Sequence, residues 1–277
     1  MIMSDNILEL DGQKSGPTSL ILAGVHGNEK CGVEALKKLL PLLKIERGRV
    51  LIATGNPAAL ARGVRYLEVD LNRMFQPRAA LTAREIKSRE YERAQVLKKY
   101  LNKSDALLDI HASLTPGSRP FVIGEANAKK IIKYLPINLV VSGFDSVEPG
   151  GTDYYMNSRG KIGLCVECGY LADHKALRIA EKSIIAFLKA RGHITNNLVP
   201  RHQSHLRLYE RYLTRTRKFT LPKKFADFEK IARGQLIGFD GREEVRAKKS
   251  SLILFARNRT AIGAEAFLLG VKKKSLI

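Results

Sequence analysis

Apolar and polar positions follow two textures along this chain. Short apolar runs ending at glycine or polar residues occur at SLILAG (19–24), RVLIATG (49–55), ALLDIHA (106–112), NLVVSG (138–143) and KIGLCVECG (161–169). They read as buried strands. Helical patterns lie between and around them, in CGVEALKKLLPLL, TAREIKSREYERAQVLKKYL, ANAKKIIKYL and LADHKALRIAEKSIIAFLKARG. The last predicts a long helix near 172–191, stopped before Gly192. The alternation predicts an α/β domain whose mostly parallel sheet is flanked by helices. After RGHITNNLVP no long amphipathic helix follows. Short runs broken by RG, DG and IG predict a small C-terminal β domain of hairpins. A boundary near 195–203 divides the chain into 1–198 and 199–277.

The 277 residues suffice for one large core and a smaller one. No apolar run approaches the roughly 18 residues of a membrane-spanning helix. The start, MIMSDNILELDGQKSG, is too polar for a secretory signal. The expectation is a cytoplasmic protein without a membrane partner. Cys31, Cys165 and Cys168 do not form a disulfide framework. Cys165 and Cys168 make a C-x-x-C, but three residues apart on a strand they point to opposite faces, which favours unreactive buried thiols over a redox or metal pair. Net charge changes the picture more: +21 overall, with 19 Lys and Arg against 7 Asp and Glu in residues 201–277. Such an excess favours an anionic partner, whether a small acid, a nucleic acid or an anionic surface.

Candidate chemistry gathers at predicted strand ends, where open α/β sheets bind ligands. His26 follows SLILAG, Glu29 lies three residues on, and His111 sits in LLDIHA. Two ligands from one loop and a third from a distant strand can surround a zinc ion and leave its fourth position open. Gly24 and Gly27 permit tight turns there. Alternatively Glu29 caps the helix that begins nearby. His174, His193, His202 and His205 read as helix or linker residues. NPAALARGVRYLEVDLNRMF crowds Arg65, Asp70, Asn72 and Arg73 together, and Glu167 lies near the end of a strongly apolar strand. A carboxylate embedded there calls either for an ion pair with an arginine or for a role in proton transfer beside a metal-bound water.

GVHGNE, NPAALARGVRYLEVDLNR, DIH and VECG, in this order, resemble the succinylglutamate desuccinylase and aspartoacylase family of zinc carboxypeptidase-like hydrolases. The likeness covers most of residues 15–190. It implies an α/β zinc-hydrolase domain followed by a small β domain. It also implies one Zn2+ per chain on His26, Glu29 and His111, with Glu167 as catalytic glutamate and Arg65 steadying the carbonyl oxygen. Asn72 and Arg73 match the substrate pocket. Tyr155 and Arg159 in YYMNSR resemble a Tyr-x-x-x-Arg pair that grips a substrate carboxylate, although Arg159 stands only eight residues before Glu167. A substrate-contacting tyrosine of the aspartoacylase C-terminal domain has no counterpart in ILFARNRTAIGAEAFLLG.

The activity this implies is hydrolysis of a small anionic N-acyl amino acid or related amide to a carboxylate and an amine. Glu167 would take the water's proton and pass one to the leaving nitrogen. Asp109, two residues before His111, would face the same way and orient a ligand. A zinc carboxypeptidase acting on short peptides is the nearest alternative. A basic nucleic-acid-binding protein using the tail is disfavoured, since neither a stacking platform nor a recognised motif appears. A homo-oligomer stays open.

Overall fold

Residues 7–275 are described by the structure, a computed structural model; the first six residues of the polar start lie outside it. The chain opens with β1 (Leu8–Asp11) and β2 (Lys14–Ala23), then α1 (Cys31–Leu39) and β3 (Arg47–Thr54). The short helices α2 (Pro57–Arg62) and α3 (Ala83–Ile86) precede α4 (Arg89–Lys103) and β4 (Ala106–Ser113). Next come β5 (Phe121–Gly124), α5 (Lys129–Ile132), β6 (Leu139–Ser142), α6 (Phe144–Val147) and α7 (Thr152–Asn157). β7 (Ile162–Tyr170) and α8 (Lys175–Ala190) complete the α/β part. Seven strands follow: β8 (Ser204–Leu213), β9 (Phe219–Thr220), β10 (Glu229–Ile231), β11 (Leu236–Asp240), β12 (Glu243–Arg246), β13 (Ser251–Leu254) and β14 (Glu265–Lys273).

Eleven strands form one sheet in the order β1-β3-β2-β4-β7-β5-β6-β8-β14-β13-β10. The pairs β3–β2, β2–β4, β4–β7, β5–β6 and β6–β8 are parallel, and β5 runs antiparallel to β7. Strands β9, β11 and β12 make a separate small antiparallel sheet. Alternate residues of the central strands serve different cores, as the period of two requires. Ile21, Ile52 and Ile110 face one core with α1 and α8, whereas Leu20, Leu22 and Leu107 face another with α4. Helix α8 buries Ala180, Ile184 and Phe187, the apolar stripe that predicted it. The three cysteines are free and buried, and Cys165 and Cys168 belong to different cores. Among the described residues no helix is long and apolar enough to cross a membrane.

Local chemistry corrects several expected elements. The pattern over 82–101 breaks into α3, capped by a Thr82–Glu85 capping box, and α4, whose cap Ser88 accepts a hydrogen bond from the Tyr91 amide. Residues 126–135 hold only a 3₁₀ turn and the single turn of α5. β1 and β5, each 4 residues long, give too little periodicity to be read from sequence. His193, expected in helix or linker, is fully buried after α8, with Nδ1 2.9 Å from the Arg47 carbonyl and Nε2 2.8 Å from Ser19 Oγ. The boundary placed between 198 and 199 falls in the irregular stretch 195–203, after which β8 pairs with β6 from Leu139↔Ser204 to Ser142↔Arg207.

Candidate metal centre and active site

His26 and Glu29 lie in the turn between β2 and α1, closed by the Glu29 amide donating to the His26 carbonyl at 3.1 Å. Gly27 is required there, because a Cβ would stand 2.1 Å from the backbone of Ala59. His111 reaches the same point from β4, in register with Glu167 of β7, so the two side chains share a face at the strand ends.

Three donor atoms converge. His26 Nδ1 lies 2.8 Å from Glu29 Oε1, His111 Nδ1 3.0 Å from Glu29 Oε2, and the two Nδ1 atoms 3.2 Å apart. A tetrahedral ion with bonds of about 2.0–2.1 Å holds neighbouring ligands roughly 3.3 Å apart, close to this spacing. The outer nitrogens strengthen the case. His26 Nε2 is 3.1 Å from Asp70 Oδ1, and His111 Nε2 is 3.1 Å from Asp109 Oδ2. A carboxylate only accepts, so the hydrogen bond to Asp70 places a proton on His26 Nε2, and Asp109 lies close enough to His111 Nε2 to favour the same tautomer. With a cation in place of the inner protons, both Nδ1 lone pairs and the Glu29 carboxylate would face one point. Glu29 therefore does not cap α1; its Oε2 also accepts from the Ala112 amide at 3.0 Å.

Electrostatics agree. Burial opposes charge on either imidazole, yet Glu29 and Asp70 hold the His26 pKa above 6.5, and Asp109 and Glu29 hold that of His111 well above it. The pocket draws positive charge. Asp70 is likewise disfavoured by burial but is held well below the usual carboxylate range by His26 and Arg65. Glu167 moves the other way: burial, then the Glu29 charge, push it up to about 7. Its Oε2 is sealed from solvent and has no hydrogen-bond partner among the described residues. A carboxyl group near neutrality is suited to accepting and returning a proton.

These residues form one end of a cleft of about 850 Å³, the size of a small-ligand site. Arg65 binds Asp70 Oδ2 through Nε (3.2 Å) and NH2 (3.1 Å) and Glu29 Oε1 through NH1 (3.2 Å). Asn72 lines the cleft and accepts from the Thr152 amide at 3.2 Å. Arg73 lines it too, but its guanidinium is paired with Glu148 and donates to the Asn72 carbonyl. Tyr155 and Arg159 are not brought in. Tyr155 is buried against Phe75 with its hydroxyl on Asn102, and Arg159 stacks 3.5 Å from the Tyr155 ring. The neighbouring Tyr154 lines the cleft instead.

Sequence reading missed the far wall, where Glu148 meets Glu265 and Arg211, and Arg259 donates to the Glu265 carbonyl. The visible signals were Glu148 in FDSVEPGG and Glu265 opening the apolar run AEAFLLG, neither carrying a spacing that announces a site. The role of Asp70 also escaped, although it stood in the crowded DLNR segment.

The sequence pattern of the succinylglutamate desuccinylase/aspartoacylase catalytic domain matches residues 15–192. The chain belongs to that family. Among relatives, a succinylglutamate desuccinylase of Pseudomonas putida is 46% identical over 68 residues, covering 23% of this chain and 20% of that protein. One from Burkholderia pseudomallei is 41% identical over 106 residues, covering 34% and 28%. The matched segments thus span well under a third of these family members' lengths. The crystal structure of a succinylglutamate desuccinylase from Vibrio cholerae superposes with a TM-score of 0.81 at 20% identity, over 96% of this chain and 85% of that one. The product-bound ectoine utilization protein EutE (DoeB) of Ruegeria pomeroyi gives 0.71 at 20% identity, over 96% and 88%. At such identities the likeness is one of fold, and the two structures carry different names on it.

Proposed function

We propose that this chain is a zinc-dependent amidohydrolase that cleaves the amide bond of an N-acyl amino acid. The observation carrying the reading is the pair of imidazoles, each backed by its own carboxylate, that turn Nδ1 toward Glu29 beside the uncommitted Glu167. His26, Glu29 and His111 would hold one zinc ion per chain. Bound there, zinc supplies a Lewis acid for the scissile carbonyl and acidifies a water molecule. Glu167 takes the proton of the attacking water and returns one to the departing nitrogen. Arg65, anchored on Asp70, steadies the carbonyl oxygen as negative charge develops. Removing such a donor costs about 2.7–4 kcal/mol of transition-state stabilisation. Asn72 and Arg73 shape the substrate side of the cleft. A cytoplasmic setting belongs to the same reading and suits three buried free thiols.

Metal analysis of the purified protein, paired with a hydrolysis screen of N-acetyl, N-succinyl and longer N-acyl amino acids and of dipeptides, tests this. One zinc per chain and turnover of an N-acyl amino acid are expected. Absence of zinc, or preferential cleavage of dipeptides, would reject it. Glu167→Gln should keep its zinc and lose roughly 10²–10⁴-fold in kcat; unchanged kcat would remove Glu167 from the mechanism.

A further inference from the structure

The cleft is lined by five arginines: Arg65, Arg73, Arg211, Arg257 and Arg259. Four are engaged. Arg65 is held by Asp70 and Glu29, and Arg73 by Glu148. Arg211 leans on Glu148 at 3.8 Å, and Arg259 Nε donates to the Glu265 carbonyl. Arg257 differs: its guanidinium makes no hydrogen bond or ion pair among the described residues, although the residue is partly buried. Burial and the neighbouring charges of Arg259 and Arg65 depress its pKa, and the more weakly felt Asp227 and Glu265 only partly offset them.

The backbone around Arg257 is built to present it. Phe255 leaves β13 at φ 55, a left-handed conformation uncommon for a bulky residue and found at turns and at functional sites. The Phe255 amide donates to Asp227 Oδ1 at 2.8 Å, and the Arg257 amide donates to the Ala266 carbonyl at 2.9 Å. The Phe255 ring packs 6.2 Å from that of Phe121, the β5 residue in register with Glu167. This segment is thereby docked on the strand pair that carries the proposed proton carrier.

We propose that Arg257, supplied by the C-terminal strands, is the specificity residue that receives the carboxylate of the substrate. Arg73 is neutralised within the protein by Glu148, and Arg159 lies outside the cleft, so neither is open to that anion. A guanidinium free on its donor edge offers a carboxylate two parallel hydrogen bonds. The assignment rests on the deacylase reading for its substrate but concerns a different group from the metal centre.

The test compares the zinc-loaded wild type, Arg257→Ala and Arg257→Lys on an N-acyl amino acid and on its α-amide, which lacks the negative charge. Arg257→Ala should raise KM for the acid on the order of 10- to 100-fold with little change in kcat, and alter kcat/KM for the amide by no more than about threefold. Arg257→Lys should recover part of the loss. Equal losses on acid and amide, or none on either, would overturn the assignment. Should the wild type cleave no N-acyl amino acid, the deacylase reading falls, and Arg257 is judged by calorimetric binding of succinate to the same proteins. Weakening on the order of 10-fold or more in Arg257→Ala, at an unchanged thermal midpoint, supports the anion site; equal binding, or no binding to the wild type, rejects it.

Discussion

Asp70 and Asp109 each stand 3.1 Å from the Nε2 of a histidine whose Nδ1 faces Glu29, and both have further duties. Asp70 Oδ1 accepts from the Asn72 amide at 2.9 Å, and Asp109 Oδ2 from Thr152 Oγ1 at 2.5 Å. Each imidazole thus leans on a carboxylate that is itself held in place, His26 through a hydrogen bond to Asp70 and His111 at ion-pair distance from Asp109. Asp70→Asn and Asp109→Asn should each lower zinc affinity about 10- to 100-fold, read by competition with a chelator; unchanged affinity would disprove the positioning role. His26, Glu29, His111 and Glu167 were legible from sequence because they sit where strands end and a polar group must have a reason. Asp109 was legible by strand parity. Tyr155 and Arg159, four apart on a helical turn, stack on each other and line no part of the cleft.

Elements place charges that no single residue explains. The turn through α6 and α7 brings Asp145 and Asp153 to the cleft wall, with Glu125 nearby. Burial, then Asp153 and Glu125, push the Asp145 carboxyl up to about 7. Its unfolded value is about 3.9, so between these values the folded state binds more protons. Stability should fall as pH rises through that window and stay low above 7. Asp145→Asn removes this cost: its thermal midpoint should exceed that of the wild type by about 2–4 °C at pH 8, after allowance for partial solvent access, and the gain should vanish near pH 4. A gain independent of pH would contradict the assigned cause. The long periodic elements, β2, β3, β4, β7 and α8, were legible for the same reason they are stable, a repeated apolar face. The short β5 was not, nor were the break that separates α3 from α4 and the single turn to which α5 is limited.

At the scale of the molecule, β8, β14, β13 and β10 extend the sheet that carries the candidate metal centre, and residues 204–273 supply Arg211, Arg257, Arg259 and Glu265 to the cleft. Part of the basic excess of this segment, read from sequence as a mark of an anionic partner, thus faces the cleft itself. The change of texture near 200 was legible; the return of β8 to β6 was not, because pairing between distant strands leaves no local pattern. Leu206, Leu208, Leu252, Leu254 and Leu268 pack against Phe121 and Val141 of the α/β part. A chain ended after residue 198 would bare that core and the edge of β6, and should bind a hydrophobic dye and aggregate. Soluble, cooperative unfolding of such a fragment would show instead that the α/β part stands alone. The unbroken ladder from β4 through β6 to β14 has one more consequence. The walls of the cleft cannot swing apart as rigid bodies without tearing backbone hydrogen bonds, so its breathing falls to the loops around 143–153 and 255–264. For the proposed deacylase, the tempo of product escape would then be a property of those loops, open to change while the His26–Glu29–His111 cluster stays as it is.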